Sequence, residues 1–154
     1  MRQTLCAAPA RPHRGCVGVF VLLVLVGACE RQPFKRSESL DVGGDTIQLA
    51  PGVAIHDVRV RSNADGDFAP AQDSARSGDV VRFTTTDSRT HLIAFDEASL
   101  PGNAPALFEA KSQLRSPPLV VQGAAWVVSL ENAPAGTYTF VCTTHNQRGT
   151  LIVH

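Results

Sequence analysis

The pattern that decides the fold lies in residues 135–154, which read AGTYTFVCTTHNQRGTLIVH. Tyr138, Phe140 and Cys142 are separated by single residues, which places their side chains on one face of a β-strand. The strand is predicted to stop at Cys142, and a final strand is predicted over residues 150–154. The end of the chain is therefore predicted to be two short strands with a loop between them.

Short alternating segments of the same kind occur upstream, separated by Gly, Pro, Asn and Asp. The further predicted strands are marked by Ile55, Val58 and Val60, by Val81 and Phe83, by residues 91–95, and by Trp126, Val128 and Leu130. No segment has a convincing helical stripe, and at most one helical turn is expected near residues 106–110. Several short strands with frequent turn signals indicate an all-β sandwich or barrel of about 110 residues.

The N-terminus has the features of a bacterial export signal. Basic residues precede an apolar run at residues 17–26, which is about half the length of a membrane-spanning helix. The run ends in Val-Gly-Ala-Cys, which resembles a lipobox whose Cys29 becomes the lipidated first residue. The alternatives are an ordinary signal peptide with a chance cysteine and an uncleaved anchor.

These features divide the chain into three parts. Residues 1–28 are predicted to be a lipoprotein signal peptide. Residues 29–45, polar and closed by a Gly-Gly pair, are predicted to be a flexible tether that carries the lipid. Residues 46–154 are predicted to form the folded domain.

Removal of the signal changes the charge of the protein. Three of the 14 basic residues lie within residues 1–28 and none of the 14 acidic ones does, so the mature chain has a net charge of −3. A mildly acidic chain argues against nucleic acid as a partner.

Cysteine usage is more informative. Cys6 and Cys16 leave with the signal and Cys29 would carry lipid, so Cys142 is the one thiol of the predicted domain. Cysteines in an oxidising compartment usually pair, and Cys142 has no internal partner there. It is either a metal ligand or a buried, inert cysteine that packs as a small hydrophobic residue.

A constellation of three residues favours the metal. His145 follows Cys142 by three positions on the loop, so a thiolate and an imidazole can converge on one ion, since metal–ligand bonds are about 2 Å long. A third ligand must come from elsewhere, and His91, at the head of a strand after a polar turn, is the candidate. Two imidazoles and a thiolate form the trigonal set that suits copper. His56 and His154 are interpreted as non-ligands, since neither lies near a cysteine.

The order of residues around these candidates resembles that of plastocyanin-like cupredoxins. Residues 78–97 resemble the strand pair that carries the family's first histidine, and residues 135–145 resemble its cysteine strand and ligand loop, with Gly-x-Tyr-x-Phe-x-Cys-x-x-His in register. The acidic turn at residues 95–102 is also similar. The resemblance covers residues 53–154 and implies an eight-stranded Greek-key sandwich with one type 1 copper ion at one end, cycling between its cuprous and cupric states.

The chain departs from the family at the axial ligand. The family usually adds a methionine shortly after the second histidine, whereas the one methionine here is Met1. Gln147 has a carbonyl oxygen that could act as a long axial ligand, and Arg148 has no acceptor at all. The axial position is therefore predicted to be Gln147 or empty, with Thr150 a poor third choice.

A second departure is Leu92. Many cupredoxins have an asparagine directly after the first histidine, and its side chain ties the two ligand loops together. Leucine cannot do this, so only the backbone N–H of Leu92 is left to bond the Cys142 sulfur. The outer shell of the site is therefore expected to be thinner and less rigid.

The sequence thus predicts a periplasmic or otherwise extracytoplasmic lipoprotein, held at the membrane by its lipid, that carries single electrons on copper. One metal site without a second Cys/His cluster argues against an enzyme. The expected partners are redox proteins, such as a c-type cytochrome or a membrane oxidoreductase, and the chain is expected to be a monomer. Two alternatives stay open: a copper-handling protein without an electron-shuttle role, and a metal-free binding module.

Overall fold

The computed structural model describes residues 39–42, 44–62 and 68–154. The predicted signal peptide, the lipobox with Cys29 and most of the predicted tether lie outside the described residues. Among those described, no helix combines the length and the apolarity needed to cross a bilayer.

Ten strands and one α-helix make up the described chain. In chain order they are β1 (Ser39–Val42), β2 (Asp45–Gln48), β3 (Ile55–Val60), β4 (Phe68–Ala69), β5 (Gln72–Ala75), β6 (Val80–Thr85), β7 (Ile93–Phe95), α1 (Ala104–Ala110), β8 (Ala125–Ser129), β9 (Gly136–Cys142) and β10 (Gln147–Val153). A single 3-10 turn, Glu97–Ser99, follows β7.

Eight of the strands form two four-stranded sheets. One has the order β4-β3-β6-β8 and the other the order β5-β10-β9-β7. Strands β3 and β6 are parallel, as are β5 and β10, and the other pairs within the two sheets are antiparallel. The all-β sandwich predicted from the sequence is confirmed, with the eight strands that the resemblance implied.

The core lies between the two sheets and is rich in aromatic rings. Phe83 stacks on Trp126 with ring centroids 5.4 Å apart, and Phe140 meets Phe83 edge-on at 5.0 Å and Phe68 at 4.8 Å. Phe83, Trp126 and Phe140 alternate with outward-facing residues along β6, β8 and β9, which is the period-2 pattern from which these three strands were predicted. Aromatic pairs of this geometry contribute roughly 0.5–1.5 kcal/mol each beyond the area they bury.

A glycine allows one of these rings to lie flat against its neighbouring strand. Gly149 of β10 is paired with Phe140 of β9, and a β-carbon at Gly149 would collide with the Phe140 ring. The absence of a side chain at this position therefore sets how closely β10 and the Phe140 ring approach.

The helix α1 covers one edge of this core. Phe108 is fully buried, and its ring lies 5.0 Å from that of Phe95 and 5.7 Å from that of Tyr138, measured between centroids. The helical turn that the sequence predicted near residues 106–110 thus begins two residues earlier, at Ala104.

The N-terminal hairpin of β1 and β2 was not predicted. The two strands pair from Ser39 opposite Gln48 to Val42 opposite Asp45, β1 contacts β8, and Leu40 is 1% exposed. The predicted tether extended to residue 45 and the domain began at residue 46, so that boundary falls inside the hairpin. Burial of Leu40 against the rest of the fold accounts for the difference, since two apolar residues, Leu40 and Val42, are too few in a polar segment to give a periodic signal.

The two ends of the sandwich carry different polar groups. We call the end at which β9 stops and β10 starts the Cys142 end, and the opposite end, where β3 and β6 start, the His56 end. At the His56 end the imidazole of His56 lies between two carboxylates, with Nδ1 3.2 Å from Asp73 and Nε2 3.2 Å from Asp79. His56 and Asp73 belong to different sheets, so this cluster joins the two layers.

Candidate metal centre

Three side chains converge at the Cys142 end. The donor atoms of His91, Cys142 and His145 all lie within 4.8 Å of one another. The Cys142 sulfur lies 3.7 Å from Nδ1 of His91 and 3.3 Å from Nδ1 of His145. Metal bonds of about 2.0–2.3 Å to nitrogen and sulfur, set 120° apart, separate the donors by about 3.5–3.7 Å. The two distances from sulfur to nitrogen are therefore already close to those that one bound ion requires.

Cys142 is held by strands on both sides. It is the last residue of β9, it pairs with Ile93 of β7 and with Gln147 of β10, and it is 0% exposed. Tyr138 and Phe140 precede it on the same face of the strand, as the sequence predicted. The thiol therefore points into the sandwich from a fixed backbone.

His145 is presented by a tight turn at residues 143–146. The carbonyl of Cys142 accepts hydrogen bonds from the N–H groups of His145, at 3.3 Å, and of Asn146, at 2.7 Å. Asn146 has φ 58, a left-handed conformation that asparagine adopts more readily than most residues. The turn is shorter than the sequence indicated, because β10 begins at Gln147 and not at Thr150.

His91 is held from the other side of the site. The strand predicted over residues 91–95 begins only at Ile93, so His91 lies two residues before β7, but its backbone exchanges two 2.9 Å hydrogen bonds with Leu119. Its ring is 0% exposed, and Nε2 lies 2.9 Å from Oδ1 of Asp87. Of the three converging residues, only His145 is partly exposed to solvent.

Asp87 belongs to the polar turn before His91. Burial alone would raise the pKa of Asp87, but the backbone N–H groups of Ser62 and Arg89 and the imidazole of His91 outweigh it and lower the pKa to about 2. Asp87 is therefore an ionised carboxylate at any pH near neutrality, and it faces Nε2 of His91.

The two loops that carry the candidate ligands are tied together without an asparagine. The backbone N–H and the hydroxyl of Thr143 donate to the carbonyl of Leu92, at 2.7 and 3.2 Å. Buried Ser116 fixes the His91 side of the site to the segment after α1, because its hydroxyl accepts from the N–H of Ile93 at 2.9 Å. The loops are therefore tied through the backbone of Leu92 and the hydroxyl of Thr143, and the expectation that the missing asparagine makes the outer shell thinner stays a prediction.

The geometry of β10 separates the candidates for the axial position. Gln147 pairs directly with Cys142, and paired residues project from the same face of a sheet. Thr150 is three positions further along β10 and so lies on the opposite face. Arg148 also projects outward, and its guanidinium bonds Asp96 at 3.1 Å.

The structure keeps the other histidines of the described chain away from this site. His56 and His154 lie at the His56 end, where His154 Nε2 is 3.2 Å from the Ser74 hydroxyl. Within residues 39–42, 44–62 and 68–154, His91, Cys142 and His145 form the one group of at least three His, Cys, Asp or Glu residues with converging donor atoms.

The fold and this arrangement define a cupredoxin, and comparison with known families agrees. Residues 55–154 match the family model of copper-binding proteins of the plastocyanin/azurin family. The chain therefore belongs to this family. Its converging donor set, two imidazole nitrogens and one sulfur, has the composition and spacing that suit copper.

Several solved structures are similar to this chain, and the first of the three named here supports the same fold. An oxidized mutant of amicyanin is 21% identical, with 77% of this chain and 94% of that chain covered and a TM-score of 0.51. A mutant fern plastocyanin is 29% identical, with 64% and 99% covered and a TM-score of 0.48. A purple cupredoxin from Nitrosopumilus maritimus is 19% identical, with 64% and 99% covered and a TM-score of 0.48.

Proposed function

We propose that the protein is an extracytoplasmic one-electron carrier that holds a single type 1 copper ion with His91, Cys142 and His145. The observation that carries this proposal is the convergence of the three donor atoms within 4.8 Å at one end of a rigid sandwich. When bound, copper supplies the exchange of one electron between its cuprous and cupric states.

The surroundings of the three residues favour electron transfer over transient copper binding. Cys142 and His91 are 0% exposed, and their loops are tied to each other through Thr143 and Leu92. A site that holds its ligands in place changes little between oxidation states, which keeps the cost of reorganisation low. A protein that releases copper to a partner needs the opposite property.

The partly exposed imidazole of His145 is the proposed point of electron entry and exit. The loop after Leu119, whose backbone pairs with His91, exposes two apolar side chains, Val120 at 52% and Val121 at 59%. An apolar surface at the same end would let a redox protein dock with little desolvation cost. A c-type cytochrome or a membrane oxidoreductase is the proposed partner, and the carrier itself is proposed to act as a monomer and not as an enzyme.

The location of the carrier is part of the same proposal. A signal peptide at residues 1–28 would direct export, and Cys29 would carry the lipid that holds the protein at the membrane. The segment after Cys29 would then connect that lipid to the folded domain.

Addition of cupric ion to the metal-free protein tests this function. We expect one equivalent to bind with an intense visible thiolate-to-copper band, and the loaded protein to exchange electrons reversibly with a c-type cytochrome in stopped-flow experiments. His145→Ala should change the band and slow the exchange, whereas His154→Ala, a matched change at the other end, should change neither. Binding without reversible exchange would favour the copper-handling alternative, and no binding would favour the metal-free module.

A further inference from the structure

Asp87 contacts the candidate ligand His91 from outside the ligand set. We propose that Asp87 is a positioning residue that directs Nδ1 of His91 toward the metal and, through its negative charge, lowers the reduction potential of the bound copper. The inference rests on the proposed function for its second half, whereas its first half concerns the metal-free protein.

The direction of the imidazole follows from hydrogen-bond chemistry. A neutral imidazole has one N–H donor and one acceptor nitrogen, and an ionised carboxylate only accepts. Asp87 Oδ1 lies 2.9 Å from Nε2 of His91, so the proton belongs on Nε2. The lone pair of Nδ1 then points toward the Cys142 sulfur, 3.7 Å away. The nitrogen that binds metal is thus selected before any metal arrives.

Asp87 is itself held in place by the backbone. Its Oδ2 accepts from the N–H of Ser62 at 2.8 Å, and its Oδ1 accepts from the N–H of Arg89 at 3.0 Å. The bond to Arg89, two residues later, is the Asx-turn contact that aspartate makes in loops. Because the carboxylate is fixed by two donors, it can fix a ring that is wholly buried.

The charge of Asp87 has a separate consequence from its geometry. When one nitrogen of an imidazole binds a metal, a carboxylate that accepts from the N–H of the other nitrogen makes the imidazole a stronger electron donor to the metal. Stronger donation stabilises cupric copper more than cuprous copper. Loss of such a partner typically costs 10–100-fold in metal affinity, and a tenfold loss for the cupric form alone corresponds to about 59 mV for one electron.

Two variants separate position from charge. Asp87→Asn keeps a carbonyl oxygen for Nε2–H and removes the charge, whereas Asp87→Ala removes both. Asp57→Asn is the matched control, because Asp57 loses the same charge on the outer side of β3, where it pairs with Arg82. All are made in the whole mature protein, solubilised in detergent.

The first measurement is nitrogen-15 NMR of the metal-free protein. We expect His91 to carry its proton on Nε2, protected from exchange, in the wild type, in Asp87→Asn and in Asp57→Asn. In Asp87→Ala the protection should be lost and the proton should populate both nitrogens. An Nε2–H signal that is unchanged in Asp87→Ala would overturn the positioning role, whether or not the protein binds copper.

The second measurement is the midpoint potential of the copper-loaded protein. Asp87→Asn should raise it by about 60 mV, a tenfold change in relative affinity, and Asp57→Asn should leave it near the wild-type value. Equal shifts of the midpoint potential in Asp87→Asn and Asp57→Asn would show a general effect of net charge and overturn the electronic role. A wild type that binds no copper would overturn the proposed function and the electronic role together, while the NMR result on His91 would stand.

Discussion

Gln147 lies directly opposite Cys142 in the ladder between β9 and β10. Its side chain therefore projects from the same face of the sheet as the thiol, and it is half-buried. Gln147 is therefore the residue of β10 whose amide oxygen would be available as a further ligand if the three donors held a metal.

Replacement of Gln147 tests this expectation. A hard amide oxygen favours cupric copper, so Gln147→Ala should raise the midpoint potential, by about 59 mV if the relative affinity changes tenfold. Protein-film voltammetry on wild type and variant measures the shift. Thr150→Ala, on the other face of β10, is the control and should have no effect. Identical potentials for Gln147→Ala and wild type would mean that the axial position is empty.

Cys142→Ser tests the thiolate. The variant should still fold, because the aromatic core around Phe83 and Phe140 is untouched. It should lose the visible band and its electron exchange. The remaining copper binding, through the two imidazoles, should be weaker than in wild type. In wild type, copper at 100 times its dissociation constant should stabilise the native state by about 2.7 kcal/mol, seen as a rise in Tm. Equal spectra and equal Tm shifts for variant and wild type would make Cys142 a structural thiol.

The His56 end gives a prediction about acid stability. Burial alone would raise the pKa of Asp79, but the N–H groups of Ala54 and Arg76 and the imidazole of His56 outweigh it and hold the pKa below the usual 3.8. A carboxyl whose pKa is lower in the folded state stabilises that state above the unfolded pKa, and the contribution is lost as the pH falls through the folded pKa. Wild type should therefore lose stability below about pH 4.

Asp79→Ala should lower the free energy of unfolding at pH 7 by about 3 kcal/mol, because it leaves a buried histidine and two N–H groups without this acceptor. Urea unfolding at pH 7 and pH 3 measures the effect. The difference between variant and wild type should shrink as the pH falls through the lowered folded-state pKa of Asp79, where the carboxylate becomes protonated. A difference that is constant across this range would show that the carboxylate charge contributes nothing.

Gly149→Ala should destabilise the sandwich. The new methyl group would meet the Phe140 ring, and overpacking of this kind costs about 1–3 kcal/mol. Phe140→Leu in the same chain should recover part of the loss, which a double-mutant cycle by urea unfolding would quantify. Additive effects of the two changes would contradict a direct clash.

Cys29→Ala tests the anchor. Lipidation at a lipobox requires the thiol, so the variant should accumulate as an unprocessed or mislocalised precursor. Membrane fractionation and mass spectrometry of the N-terminus distinguish the forms. A variant that is still matured at the same position and still membrane-bound would exclude lipidation at Cys29.

Four of the six strands predicted from the sequence share a physical property. β3, β6, β8 and β9 alternate apolar residues that face one core, so period 2 is visible in the sequence itself. Strands β2 and β5 are mostly polar, and β4 has two residues. β5 exists because it pairs with β10, a partner more than seventy positions away, and local patterns carry no information about such pairing.

The residues of the candidate site also divide into those that the sequence predicts and those that it does not. His91, Cys142 and His145 are predictable because metal donors are a small set of residue types at restricted spacings. The groups that support them are not predictable. Asp87, Thr143 and Ser116 are ordinary turn and loop residues, and only the folded chain shows which backbone or ring each one contacts.

The N-terminal hairpin limits how far the carrier can travel if Cys29 holds it to a lipid. The chain is folded from Ser39 onward, so ten residue steps separate the lipid from the domain, and they span at most about 35 Å even when fully extended. A tether that ran to residue 45 would reach about 55 Å. With this shorter tether, a lipid at Cys29 would keep the domain in a thin layer beside the bilayer, where a membrane-bound redox enzyme would meet it at high local concentration. A partner that diffuses freely in the periplasm would have to enter that layer to exchange an electron.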